Sequence, residues 1–296
     1  MIILRWNLIT KAALITILVI AAHGCGDLTD VEQQSFDGEQ ALQHVRNQLS
    51  YGPRIPGSEG HHSTSNYIRS TLEKNGWKVS EQTFPFNGIE ARNIYGVAGP
   101  EDGNWILLGA HYDTRPIADR DTQFPEQPVP GANDGASGVA VLLELSRILI
   151  PSTLDAHIWL TFFDVEDSGG IDENAWAYGS LKFSESLDRY PDAVVIVDMV
   201  GDADLNIFFE ANSDPELSAV IWSIAQGQGF SGFIPELGRS ILDDHTAFLR
   251  LGIPAIDIID FDYPYWHTTE DTLDKVSAES LEQVGRTIQI WLMETD

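Results

Sequence analysis

The chain is poor in cysteine and poor in basic residues. Cys25 is the only cysteine in 296 residues, so no internal disulfide can form and no set of thiolates can hold a metal. Seventeen Lys and Arg face 45 Asp and Glu, a formal net charge of −28. That imbalance argues against nucleic acid as a partner, because phosphate binding draws on a basic surface. It favours solubility and draws cationic groups, including the free amino terminus of a peptide, towards the surface. Long apolar runs are also scarce. The one near the start, Ala12 to Ala22, is short for a permanent bilayer span. With Arg5 and Lys11 before it and Ala22-His23-Gly24-Cys25 closing it, it reads as a secretory signal over residues 1–24.

Cys25 directly after Gly24 resembles a bacterial lipobox, whose thiol is lipidated after cleavage. The expectation is an exported lipoprotein facing the periplasm or cell exterior, touching a membrane only through its lipid. Residues 25–37 would be a polar, acidic tether, and residues 38–296 one catalytic domain with no linker or internal repeat.

Within that domain, Ala41, Leu42, Val45 and Leu49 recur at helical spacing, and a second helix is expected from His61 to Asn75. Trp77 to Phe86, Ala91 to Ala98 and Trp105 to Ala110 read as strands divided by Asn87-Gly88 and Gly99-Pro100 turns. Helical spacing returns at Val139 to Leu149, Ala219 to Ala225 and Leu281 to Leu292; Ile158 to Phe163, Ala193 to Val197 and Pro254 to Ile259 read as buried strands. The alternation predicts an α/β fold, a single domain with a central mixed, mostly parallel sheet flanked by helices on both faces. Ligands of such sheets bind beyond the carboxyl ends of the strands, and His111, Glu166, Asp167 and Asp198 fall there.

Five stretches carry the chemistry: Gly109-Ala110-His111-Tyr112-Asp113, Gly131-Ala132-Asn133-Asp134-Gly135, Phe163-Asp164-Val165-Glu166-Asp167, Val197-Asp198-Met199 and Tyr265-Trp266-His267-Thr268-Thr269. Imidazole and carboxylate donors brought to one rim suit zinc in a protein without spare thiols. Asp113 is placed to orient His111, and Asp164, one pleat before Glu166, to cap the turn. His44, His61, His62 and His157 lack ligand-bearing surroundings and read as surface or structural residues. Acids lie densely in 113–121 and 257–262, but no EF-hand loop supports calcium.

Together with Tyr178-Gly179-Ser180 and Asp243-Asp244-His245, these motifs resemble, in order, those of the zinc aminopeptidases and glutaminyl-peptide cyclotransferases of peptidase family M28. The resemblance implies that Asp134, Asp167 and His267 hold a zinc ion, with Asp167 standing where Glu is more usual. His111 and Asp198 would complete a second site bridged by Asp134, so one ion is expected and a second is possible. It makes Glu166 the general acid/base and Asp244, rather than His245, the neighbouring active-site acid. Trp266, with Trp176, would wall the substrate pocket. The substrates implied are peptides or proteins with free amino termini.

Trp266, the run from Asp243 to Pro254 and Gly57-Ser58-Glu59-Gly60 resemble the cyclases, which convert an amino-terminal Gln to pyroglutamate with loss of ammonia. Thr268-Thr269-Glu270-Asp271-Thr272 resembles the peptidases, which remove the amino-terminal residue. The cyclase is the favoured expectation and the aminopeptidase the alternative. A silent binding module is a third option, which the intact set of ligand types disfavours.

Overall fold

The computed structural model describes residues 34–294; the expected signal segment and Cys25 lie outside them. Helix α1 (Gly38–Leu49) starts where the Asp37 carboxylate accepts the N–H groups of Glu39 and Gln40. It buries Ala41, Leu42 and Val45, the stripe that the spacing marks. Helix α2 (Glu59–Lys74) is capped by Ser58, whose hydroxyl accepts the His61 N–H. A hairpin follows, β1 (Lys78–Phe86) and β2 (Ile89–Ala98), and then β3 (Trp105–His111). The chain continues through α3 (Ala136–Ile148), β4 (His157–Phe163), α4 (Tyr178–Glu185) and β5 (Ala193–Asp198). It ends with β6 (Ile207–Phe209), α5 (Pro215–Gly227), β7 (Phe233–Leu237), α6 (His245–Leu249), β8 (Ala255–Ile259) and α7 (Ala278–Glu294).

Six strands form one sheet in the order β1-β2-β4-β3-β5-β8, and β6 and β7 pair separately. The β4, β3, β5 and β8 pairings are parallel, whereas β1 and β2 add an antiparallel edge. The mixed, mostly parallel expectation therefore holds. Both faces are covered. Ile106, Leu108 and Ala110 of β3 pack with residues of α1, α3, α5 and α7, while the intervening Leu107 packs with Phe183 of α4 and Phe248 of α6. This alternation is the period-two rule of a strand buried on both sides. From β3 the chain crosses to β4 on one side, and from there to β5 on the other. The carboxyl end of β3 is thus a topological switch point, where a crevice opens.

Two short helices, α4 and α6, and the strands β6 and β7 were not anticipated. Each is three to eight residues long, too short to show a period in the sequence. One boundary is corrected. Residues 34–37, expected within the tether, belong to the folded unit: Phe36 is buried beside Gly285, its N–H donates to Gln289 Oε1 at 3.0 Å, and the Asp37 N–H donates to Glu144 Oε1. A single aromatic residue in an otherwise polar stretch is enough to dock it. No helix among the described residues is long and apolar enough to cross a membrane.

Candidate active site and metal centre

Four parallel strands deliver their last residues to one rim. His111 closes β3, Asp198 closes β5, Glu166 and Asp167 follow β4 after two residues, and His267 lies in the segment after β8. Asp134 comes from the turn before α3. The backbone bends sharply at these points. Val165, Met199 and His267 have φ of 54°, 44° and 58°, so left-handed residues stand immediately before Glu166, immediately after Asp198 and at His267 itself. For a β-branched residue such as Val165 this costs on the order of 1–3 kcal/mol, which the surrounding packing must offset.

The side chains form two groups sharing Asp134. In the first, His267 Nε2 lies 3.1 Å from Asp167 Oδ1 and 3.8 Å from Asp134 Oδ2. In the second, His111 Nε2 lies 3.1 Å from Asp134 Oδ1 and 3.2 Å from Asp198 Oδ1. Within each group one ligand atom per residue lies within 4.8 Å of the others, and all five residues are buried. Asp134 Oδ2 and both Asp167 oxygens have no hydrogen-bond partner. Buried carboxylate oxygens without donors need a cation. The residues of the first group therefore fit a zinc ion: one imidazole and two carboxylates, with a coordination position left for a substrate or water.

Several residues position these donors. Asp113 accepts the Glu166 and Asp167 N–H groups at 3.1 and 3.2 Å, holding the turn after β4. Its distance to His111 Nδ1 is 3.5 Å, so it acts on that ring through charge more than through the hydrogen bond expected of it. Asp164 does cap the turn, taking the Val165 and Arg92 N–H groups, and also meets His61 Nε2 at 2.8 Å. Gly135 lies against the His111 ring; a Cβ there would stand 2.6 Å from Nε2. Asp271 receives the Asn133 and Asp134 N–H groups and the Tyr263 hydroxyl, fixing the turn that carries Asp134.

Three further residues escaped the sequence reading. Buried Arg54 donates to the carbonyls of Tyr112, Pro130, Gly131 and Asp134. Burial lowers its pKa to about 10 even though Asp271 and Asp134 oppose that fall. Asp119 lies 3.3 Å from His267 Nδ1 and is paired with Arg115, which also donates to the carbonyls of Asp167 and Gly169. Only the i,i+4 spacing of Arg115 and Asp119 offered a sequence signal. Arg54 offered none, since its partners lie some 60 to 80 residues away.

Two tryptophans make ring contacts with the zinc-fitting imidazole. Trp176 stacks on His267 with centroids 6.0 Å apart and planes 10° apart, and Trp266 meets it at 4.0 Å and 37°. Trp176 in turn rests on Gly169, where a Cβ would come within 2.1 Å of the indole. Arg120 lies 4.0 Å over Trp266.

Glu166 is buried, with 7 % of its surface exposed. Burial, with the charges of Asp243, Asp244 and Asp167, raises its pKa well above the ordinary value, against the opposing pull of His111. Burial and Asp243 raise Asp244 likewise. Both Asp244 oxygens lack a hydrogen-bond partner, the nearby Ser180 hydroxyl donating instead to the Ala177 carbonyl. His245 points elsewhere, between Glu210 at 3.1 Å and Asp257 at 3.6 Å, and belongs to neither metal-fitting group.

A mixed sheet with a carboxylate-rich crevice beyond β3, β4 and β5 is the zinc exopeptidase-like architecture. Residues 93–292 match the family model of peptidase family M28, and the chain belongs to that family. Similar solved structures include glutaminyl cyclase of Bacteroides thetaiotaomicron bound to N-acetylhistamine (35 % identity, TM-score 0.81, 86 % of this chain and 97 % of that one). Another is a Zn-dependent exopeptidase from Parabacteroides distasonis ATCC 8503 (30 % identity, TM-score 0.82, 88 % and 99 %). Among curated proteins, glutaminyl-peptide cyclotransferase of Gloydius blomhoffii is 25 % identical over 290 residues, 81 % of this chain and 77 % of the relative. The chain is thus an enzyme of a family containing glutaminyl cyclases and zinc exopeptidases.

Proposed function

We propose that this enzyme is a glutaminyl-peptide cyclotransferase, closing an amino-terminal Gln of peptides to pyroglutamate and releasing ammonia. The observation that carries this reading is the pair of indoles, Trp176 and Trp266, that both make ring contacts with His267. Apolar walls beside the metal-fitting group suit a small substrate side chain and disfavour water, which is a reactant for a peptidase but not for a cyclase.

Asp134, Asp167 and His267 would hold the zinc ion, which when bound supplies a Lewis acid towards the side-chain amide carbonyl. Glu166 takes a proton from the α-amine as its nitrogen bonds to the side-chain carbonyl carbon, and returns it to the departing amide nitrogen. The carbon–nitrogen bond to that group breaks and ammonia leaves. Asp244 serves as a second carboxyl beside Glu166 while the proton moves.

The second reading, an aminopeptidase, is favoured by one specific observation: His111, Asp134 and Asp198 form another group able to hold an ion. Two ions bridged by a carboxylate suit activation of water. Incubation with a Gln-initiated peptide separates the two. Loss of ammonia from an unshortened peptide supports the cyclase; free glutamine and a shortened peptide overturn it.

In the same reading the enzyme is exported and held at a membrane by lipid on Cys25. Replacing Cys25 should then release it into the soluble periplasmic or extracellular fraction, and an unchanged membrane fraction would refute the anchor.

A further inference from the structure

Beside Trp266 lies a cavity of about 320 Å³ whose walls include Phe208, Leu237, Ile241, Ile259 and Phe261. The exposed Arg239–Asp262 ion pair, 3.2 Å, borders it, and Glu210 adds an acid to its lining. It shares a wall with the active site. Ile241, Ile259 and Phe261 belong to the same apolar cluster as Met199, next to Asp198, and Trp266, next to His267. The ring of Phe261 touches that of Trp266 at 4.8 Å, and Trp266 touches His267 at 4.0 Å.

We propose that this cavity is a subsite for an apolar or aromatic side chain two residues downstream of the peptide's amino-terminal residue. The proposal rests on the peptide-processing reading above. An extended peptide advances about 3.3 Å per residue, so two residues carry it about 6.6 Å, within the roughly 9 Å that the two ring contacts allow between His267 and Phe261. Side chains two apart project to the same side, so a first residue seated beside His267 directs the third towards Phe261. A second recess, lined by Arg120, which lies over Trp266, is more polar: Asp121, Thr268, Thr269 and Glu270 join Phe124 and Tyr265 in its lining. The volume lies near the lower end of small-molecule pockets, roughly 300–1,000 Å³, enough for one large side chain with part of its backbone. Leu237, 75 % exposed at the cavity, is an apolar surface that a bound side chain would cover. Arg239 offsets Asp262, and Glu210 leaves the lining one acid in excess, which disfavours an acidic occupant.

The test compares peptides beginning Gln-Gly-Phe, Gln-Gly-Gly and Gln-Gly-Asp, scoring ammonia and free glutamine separately. The expected kcat/KM is about tenfold higher with Phe than with Gly in third place, and lowest with Asp. In Leu237→Asp and Phe208→Ser the Phe-to-Gly ratio should fall to about one, mainly through KM. Calorimetric affinities of Glu166→Gln for the same peptides should give the same order without turnover. Equal values for Phe and Gly in the native enzyme, or a ratio that survives both substitutions, would overturn the subsite. The identity of the product bears only on the cyclase reading, so the two ideas fail separately.

Discussion

The two groups that share Asp134 are built from the same residue types, yet they differ in how completely they are satisfied. Around His267, Asp134 Oδ2 and both Asp167 oxygens accept no hydrogen bond, and two indoles contact the ring. Around His111, Asp198 Oδ1 pairs with Nε2 at 3.2 Å, and Asp113 approaches Nδ1 at 3.5 Å. Burial alone would lower the His111 pKa, but Asp198, Asp113 and Asp134 together raise it well above the ordinary value. A buried carboxylate can be balanced by a metal ion or by a neighbouring protonated side chain. Both groups contain an imidazole, but His111 meets Asp198 in a hydrogen bond, whereas His267, 3.1 Å from Asp167 Oδ1, makes none to it and leaves more of the balance to an ion. Similar donor sets therefore need not imply equal metal occupancy.

The largest effect expected is on chemistry common to both readings. Glu166→Gln should lower kcat by about a thousandfold while leaving metal content and circular dichroism unchanged; activity within tenfold of native would remove Glu166 from the mechanism. The contrast between the groups is tested next by counting metal after dialysis. His267→Ala should retain almost no zinc and His111→Ala about one equivalent, whereas equal loss from both would erase the distinction drawn above. A smaller change is expected from Asp119→Asn, which weakens the hold on His267 Nδ1: zinc affinity should fall about 10–100-fold. Trp176→Ala should raise KM several-fold with little change in kcat, checked by steady-state kinetics, because it removes a wall and not a ligand.

The smallest effect lies far from both groups. Burial, aided by Arg147 and Lys74, lowers the pKa of His44 to about 4, and its Nδ1 meets the Tyr67 hydroxyl at 2.5 Å. The unfolded chain binds this proton at higher pH than the folded one, so the contribution is present above about pH 6.5 and is lost as pH falls through about 4. His44→Gln should flatten thermal stability against pH across that window, and an unchanged slope would assign the acid sensitivity elsewhere.

Much of the site was legible because its donors sit at strand ends. The apolar runs of β3, β4 and β5 announce themselves, and His111, Glu166, Asp167 and Asp198 stand at or just beyond their termini. Asp134 and His267 were reached through the ordered motifs and not through periodicity. Arg54, Arg115 and Asp119 were not seen, since each matters through partners on distant segments or through backbone carbonyls, which leave no trace in residue type. Phe36 was misassigned for a related reason: a polar neighbourhood in sequence said nothing about the slot beside Gly285.

By itself the sequence determined the alternation of elements, the absence of thiolate ligands and the types of donor available, because periodicity and composition act locally. Tertiary structure decided which donors meet. It made Asp134 common to two groups, brought Trp176 as well as Trp266 against one imidazole, and left some carboxylate oxygens open while pairing others. Those outcomes depend on distances between segments far apart in the chain, 138 residues in the bond from Asn133 to Asp271, and only the folded sheet defines them.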